Sequence, residues 1–410
     1  MLVLPMLLRK AVVMPPSSSL RFEWVTATQR FLELREQWNL LGSSAIETVF
    51  LTHDWLASWL VELCPEAELH VLTAWDGDQL AAALPLFGSQ AIERGRHWML
   101  MGTGTLTPNH LDIIAAPAVR ERAREGFVTM LLEESVDWDM LEFDKLPADS
   151  ETADLLAQAF GGTGLATTCA VSAICPFCDL PATYEAYVAS RKKQIRKEIR
   201  RAYRWLEEQP GVRVLARAET ESQAIGALAR LEQLHQARWA GKGYPGAFAD
   251  PRVVRFHERM VRAALKTDSA RIYTLSDADE IVAVSYNYRI GSGVQGYLSS
   301  FDPLWAEMRP GVLLRSYVIE QSLAEKAARI DFLEGTEQYK ASWSTGQREN
   351  LRLRVFNRTL RGRAAHVRLA AEESAVGVVR RFVNPKLRER VVRALARRAA
   401  PIPSSSDTEN

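Results

Sequence analysis

The sequence predicts an α+β protein built from a duplicated unit, each copy a mixed central sheet flanked by helices in a three-layer α/β arrangement. Three observations lead there. The chain has 410 residues and a mass of 46.0 kDa, and a single hydrophobic core stops growing well below that size, so two domains are expected. A segment recurs at long range: residues 69–87 (LHVLTAWDGDQLAAALPLF) and 270–288 (ARIYTLSDADEIVAVSYNY) align on a shift of 201 positions, which sets Thr73 on Thr274, Asp76 on Asp277 and Asp78 on Asp279. Helix-period stretches also alternate with short apolar runs along both halves.

Each repeated segment reads as strand, Asp-centred turn, strand, which is a hairpin. A helical stretch precedes each one. HDWLASWLVEL carries Trp55 and Trp59 on one face, and RFHERMVRAAL carries Phe256 and Met260, again 201 positions on. Helix plus hairpin at one offset in both halves is the basis for the duplication. The first unit is expected over 20–164, closing at Gly161-Gly162-Thr163-Gly164. After its hairpin come strand candidates HWMLMG, LDIIAAP and WDMLEFDKL and helical stretches REGFVTMLLEES and TADLLAQAF. The second unit is expected over 165–365, opening with the strand TTCAVSAICPFCDLP. Residues 1–19 read as a leader without structure, in which Met14 is a candidate start. Residues 366–410 read as a basic helical tail with a disordered end.

Composition narrows the class. Hydrophobic residues make up 47% and charged residues 25%, which excludes a disordered, collagen-like or disulfide-scaffold chain. A formal net charge of +1 makes no global electrostatic case for nucleic acid. No apolar run is long enough to span a bilayer. The opening MLVLPMLLRKAVVM puts its charges after the apolar stretch, the reverse of a secretory signal. Four cysteines fit a reducing compartment, and a cytoplasmic location follows. Cys175-Pro-Phe-Cys178 has the spacing of a metal or redox site, but no second pair and no nearby His accompany it. It reads as part of a strand, and no metal is expected.

The second half carries the chemistry. Thr183 to Leu206 reads as one helix capped by Thr183 and ended by Pro210-Gly211, with a basic face of Arg191, Lys192, Lys193, Arg196, Lys197, Arg200, Arg201 and Arg204. That face is either a solvated surface or a clamp for phosphate or another polyanion. His235 and Trp239 share a helix face, and the turn Gly241-Lys242-Gly243 ends that helix; His235 is a core histidine or a general base. The strand GVQGYLSSFDP leads to Arg309-Pro310-Gly311-Val312-Leu313, where Pro opens a helix and the free N–H groups with Arg309 form an anion site, or simply a capped helix. The buried strand RIDFLEG then feeds Glu337-Gln338-Tyr339-Lys340. A lysine at a strand's end can hold a phosphate or a developing oxyanion, and its truncation is expected to spare stability.

Taken in order, RKKQIRKEIRR, Arg238-Trp239 with Lys242-Gly243, the hairpin, Arg309-Pro-Gly-Val-Leu-Leu, Asp331-Phe-Leu-Glu-Gly and Tyr339-Lys340 resemble the BioF2-like or CelD-like (cellulose biosynthesis) branch of the GNAT acyltransferase superfamily. Fem-type peptidyltransferases are its two-domain relatives. The resemblance covers about 180–365 well and 45–150 weakly. It implies tandem GNAT-like domains and an N-acyltransferase that moves an acyl group, acetyl foremost, from acyl-CoA to a primary amine on a small molecule or glycan such as a cell-envelope or exopolysaccharide precursor. Main-chain groups of Gly296, Tyr297, Leu298 and Ser299 would meet the pantetheine arm. Arg309, Gly311, Val312 and Leu313 would receive the pyrophosphate. Lys340 and Tyr339 would serve the chemistry, with Glu334 or His235 as proton acceptor. GNAT enzymes usually show R/Q-x-x-G-x-G/A at the pyrophosphate, and this chain has a shorter arrangement followed by bulky residues. A Fem-like transferase using aminoacyl-tRNA and a non-catalytic accessory protein of polysaccharide synthesis remain as alternatives. The segment 366–400, with nine Lys or Arg against three Glu, is a candidate for peripheral contact with the inner face of a membrane, or a solvated helix.

Overall fold

The structure is a computed structural model, and it describes residues 19–89, 95–104, 106–241, 243–335 and 337–382. The expected leader up to residue 18, Lys242, and the tail beyond residue 382 lie outside the described residues.

In chain order the strands are β1 Arg21–Val25, β2 Glu68–Asp76, β3 Gln79–Ser89, β4 His97–Leu100, β5 Ile114–Ala115, β6 Met140–Pro147, β7 Ala166–Asp179, β8 Arg213–Arg217, β9 Ala270–Asp277, β10 Glu280–Ile290, β11 Gly293–Phe301, β12 Arg329–Asp331 and β13 Gly346–Phe356. The helices are α1 Thr28–Glu33, α2 Arg35–Ala45, α3 His53–Glu62, α4 Arg120–Glu133, α5 Thr152–Gly162, α6 Tyr184–Ser190, α7 Lys193–Glu207, α8 Glu221–Ala240, α9 Pro251–Lys266, α10 Pro310–Ala324, α11 Gln338–Trp343 and α12 Leu360–Phe382.

All thirteen strands join one mixed sheet, ordered β1-β2-β3-β4-β6-β13-β7-β12-β11-β10-β9-β8 with β5 beside β3. Read inward from its two edges, the sheet repeats itself: four strands, then a parallel step from β4 to β6 on one side and from β11 to β12 on the other. The two hairpins occupy the same place in this order. Their registers agree at the 201 offset, with Ala74 opposite Ala82 and Leu275 opposite Ala283, each followed by a register shift. Even the turns match, since Gly77 and Ala278 both take left-handed φ, 60° and 50°. The hairpin match read from the sequence is thus a match of sheet position as well.

At the centre the halves interlock. Strand β7, reached from β6 through α5, pairs with β12; β13, reached from β12 through α11, pairs with β6. The two lie antiparallel from Gly346 opposite Phe177 to Phe356 opposite Ala166. The larger core runs through both halves. Across the junction α3 meets α9, with the Trp55 and Phe256 rings 4.8 Å apart; these are the residues related by the repeat. A second core lies under α6, α7 and α10. No helix of the described residues is long and apolar enough to cross a membrane.

Two expectations change. The single helix over 183–206 is two, α6 and α7. Thr183 caps α6 as expected, accepting from the Ala186 N–H at 3.2 Å. The chain then extends at Arg191 (φ −80°, ψ 156°), whose guanidinium donates to the carbonyls of Trp343 at 3.1 Å and Ser344 at 2.9 Å. Serving these free carbonyls at the end of α11 turns Arg191 inward and breaks the helix. The strand expected at LDIIAAP shrinks to Ile114–Ala115, because a loop with His110 at φ 57° occupies the preceding positions. Cys175 and Cys178 both sit buried in β7, and burial pushes both thiols up, Cys178 to about 11; they form no disulfide. No group of residues that could hold a metal occurs among the described residues.

Candidate active site

The site begins where two parallel strands part. β11 stays paired to β10 along its whole length, from Ile290 opposite Gly293 to Ala283 opposite Phe301. It meets β12 only through Gly293, Val294 and Gln295. Tyr297 is an extra residue in β11: Tyr286 faces Leu298 and Asn287 faces Gly296. A bulge of this kind bends a strand, and here it falls where β11 leaves β12. The β12-facing edge of residues 296–301 therefore opens on a cavity of about 540 Å³. The Tyr297 ring packs against Phe50, Trp55, His257, Tyr286 and Tyr288 in the junction between halves.

Opposite the open edge stands the first turn of α10. Arg309, its N-cap, is left-handed at φ 57°, and Pro310 holds N1. The N–H groups of Val312 and Leu313 return to the Arg309 carbonyl, and Pro310 has none to offer. The Arg309 guanidinium lies 3.0 Å from Glu198 on α7. Arg309, Gly311 and Val312 line the cavity; Leu313 does not, being buried in the second core, and Leu314 lines it instead. Gly296, Leu298 and Ser299 lie along the open edge, and Glu334, Tyr339, Lys340 and His235 also line the wall.

Lys340 turns inward. Its ammonium donates to the Glu334 carbonyl at 2.5 Å and sits 3.4 Å from Glu337. Gly335 must be glycine here: φ is 150°, and a Cβ would stand 1.9 Å from Glu337 Oε2 and 2.5 Å from Lys340 Nζ. Lys340 is buried and bonded, so the expectation that its loss spares stability is corrected. Tyr339 lies under Arg315 of α10, 4.1 Å from its ring. The Glu334 carboxylate is engaged by Lys145, with Nζ 2.6 Å from Oε2. Burial pushes His235 down to about 4, and its Nε2 accepts from the Trp239 indole at 2.9 Å. Its ring is neutral with the lone pair taken, the arrangement of a positioning group rather than a base. Among the described residues, four cationic side chains (Arg238, Arg309, Arg315, Lys340) and two carboxylates (Glu334, Glu337) line the cavity wall, so the space favours an anionic ligand.

The first half reaches into this site. Thr107 and Asn109, from the loop before β5, line the cavity. Next to them His110 has Nε2 2.9 Å from Asp331 and Nδ1 3.0 Å from Asn350 of β13. Asp331 in turn accepts the Leu333 N–H at 2.7 Å, holding Leu333 at φ 56°. Of the non-glycine residues with left-handed φ, His110, Lys145, Arg309 and Leu333 all gather here. Each conformation costs about 1–3 kcal/mol, and such strain collects at functional sites. Reading the sequence found neither Thr107, Asn109 and Lys145 nor the role of Glu337 and Arg315. Glu337 could have been found from its place beside Lys340; nothing local marks the first-half residues.

Known proteins bear on this geometry. Residues 193–341, from α7 into α11, match the family described as an acetyltransferase (GNAT) domain. No curated protein sequence matches the chain. Among solved structures, FemX is similar at a TM-score of 0.56 with 8% identity, over 77% of this chain and 95% of that one. The C-terminal domain of a putative lysylphosphatidylglycerol synthetase from Agrobacterium fabrum is similar at 0.50 with 12% identity, over 85% and 97%. A conserved protein of unknown function from Bacteroides thetaiotaomicron VPI-5482 is similar at 0.51 with 12% identity, over 82% and 100%. At these identities the likeness is one of fold. The chain has a GNAT-like fold, and the stretch that matches an acetyltransferase (GNAT) domain, residues 193–341, lies in its second half.

Proposed function

We propose that the cavity binds an acyl-CoA, acetyl-CoA foremost, and that the protein passes its acyl group to a primary amine on a small molecule or glycan, within the BioF2-like and CelD-like branch of the superfamily. The observation that carries this reading is the open edge of β11. Past Gln295 the main-chain groups on its β12-facing edge have no strand partner among the described residues and face the cavity, and an amide-bearing arm such as pantetheine can pair with them as a strand would. The α10 N-terminus and Arg309 stand where a pyrophosphate would gain from helix polarity and a cation.

In the reaction the amine nitrogen attacks the thioester carbonyl carbon. A C–N bond forms, the C–S bond breaks, the sulfur leaves with the bonding pair, and the amine gives up a proton. Glu337 is the proton acceptor we favour. Its side chain is 10% exposed, it lines the cavity, and its Oε2, 3.4 Å from the Lys340 ammonium, has no hydrogen-bond partner among the described residues, whereas Glu334 is held by Lys145 and His235 by Trp239. Lys340 supports charge developing on the carbonyl oxygen.

Titration with acetyl-CoA and with coenzyme A tests the donor. Both raise the melting temperature, since a ligand of the native state stabilises it. Arg309→Gln weakens both affinities by about tenfold, or ~1.4 kcal/mol. An unchanged melting temperature with either ligand overturns the acyl-CoA reading.

A further inference from the structure

We propose that α7 docks on an anionic lipid bilayer and brings the rim of the cavity against it. Lys192, Lys193, Lys197, Arg200, Arg201 and Arg204 are exposed, and among the described residues none has an acidic partner. The acid inside this run, Glu198, is committed to Arg309 and to Gln194. Acids resume only at Glu207 and at Glu208, which lies 3.8 Å from Arg213. The opposite stripe of Ile195, Ile199, Ala202 and Trp205 is buried, so the helix cannot turn its charges inward.

The flanks of α7 supply the second observation. Trp205 lies between Arg213 of β8, 4.2 Å from its ring, and Trp305, 5.8 Å away in the 3-10 turn Pro303–Met308. Both flanking segments expose apolar side chains: Val212 and Val214 on one side, Met308 and Leu304 on the other, Leu304 at 90%. Unpaired cations beside open aliphatic side chains suit an interface in which headgroups take the charge and acyl chains take the leucine. A single-stranded nucleic acid would instead be served by open aromatic faces for stacking, and here Trp205 and Trp305 pack edge to face with Arg213 over the Trp205 ring. The turn also belongs to the cavity wall, through Ala306 and, at its end, Arg309. Docking of α7 is independent of the acyl-transfer reading.

Sedimentation of the full chain with phosphatidylcholine vesicles, with and without phosphatidylglycerol, at low and high salt, tests this. The expected result is binding to the anionic vesicles alone, weakened by salt. The variant Lys193→Gln/Lys197→Gln/Arg200→Gln/Arg201→Gln loses at least about tenfold in partitioning, and Leu304→Ser loses severalfold, with melting temperatures unchanged. Should the fourfold variant melt early, Lys197→Gln/Arg201→Gln is measured in its place. Absence of binding to phosphatidylglycerol vesicles, binding by the variant equal to the parent, or tighter binding of a mixed tRNA sample than of vesicles at the same salt each overturns the proposal.

Discussion

At the scale of single residues, Lys340 does two things at once. It holds the Glu334 carbonyl and sits beside Glu337 across a glycine that leaves no room for a Cβ. Lys340→Ala therefore lowers stability by about 1–3 kcal/mol, the cost of leaving buried polar groups without a partner. It also lowers acyl transfer by more than tenfold. Urea unfolding alongside a thiol-release assay separates the two effects. Glu337→Gln keeps the shape of the side chain, so it reduces the rate while sparing coenzyme A affinity. Two buried histidines make the fold sensitive to acid. Burial pushes His235 to about 4 and His257 to about 3, below the ordinary value near 6.5. The unfolded chain then binds the extra protons first, so stability is complete above about pH 6.5 and declines as pH falls towards the folded values. By pH 5 the loss is about 2 kcal/mol for each ring. His257→Phe removes one of these slopes, which urea midpoints across pH 7 to 5 would reveal; an unaltered slope would remove His257 from the account.

Among the elements, the paired hairpins show how conformation and sequence diverge inside one repeat. Gly77 and Ala278 turn the same corner with left-handed φ. Glycine does so freely, and a side chain costs about 1–2 kcal/mol there. Ala278 is exposed, and the bond its N–H donates to the Val212 carbonyl at 2.8 Å is a main-chain bond that glycine keeps, so Ala278→Gly raises stability by about 0.5–1 kcal/mol. A drop in melting temperature on that change would contradict the assigned turn. The same comparison explains why one half holds the cavity. In the second half β11 runs unbroken to Phe301, opposite Ala283. In the first half β4 ends at Leu100, and β5 takes up the pairing at Ala82 and Ala83. The chain between them is spent on the loop that delivers Thr107 and Asn109 to the other half's site.

Over the whole molecule, the central pairing of β7 with β13 ties the halves into one folding unit. Leu353 and Val355 of β13 are fully buried, and burying such a side chain is worth about 1.5–3 kcal/mol. A fragment of residues 165–365 keeps β13 but lacks β6, its neighbour on one side, along with Lys145 and His110. It is expected to lack a cooperative unfolding transition, while residues 20–365 retain one. Calorimetry of the two fragments decides this, and a sharp transition in the shorter one would show that the halves are independent.

The sequence by itself determined the duplication, the hairpins and the helix opening at Pro310. Apart from the repeat itself, which is a comparison of two such segments, these are local: alternation, turn residues and helix period act within about twenty residues and leave their mark in order along the chain. It also pointed to Lys340 and to the edge at residues 296–299, through an ordered set of motifs. What only the tertiary structure decided is long-range. The break at Arg191 depends on carbonyls some 150 residues away. The capture of Glu334 by Lys145 spans 189 positions, and the His110–Asp331 contact joins opposite halves. Strand pairing between distant segments is set by the shared burial of whole faces, not by any signal in the paired segments themselves, and that is why the first-half wall of the cavity could not be read before the sheet was assembled.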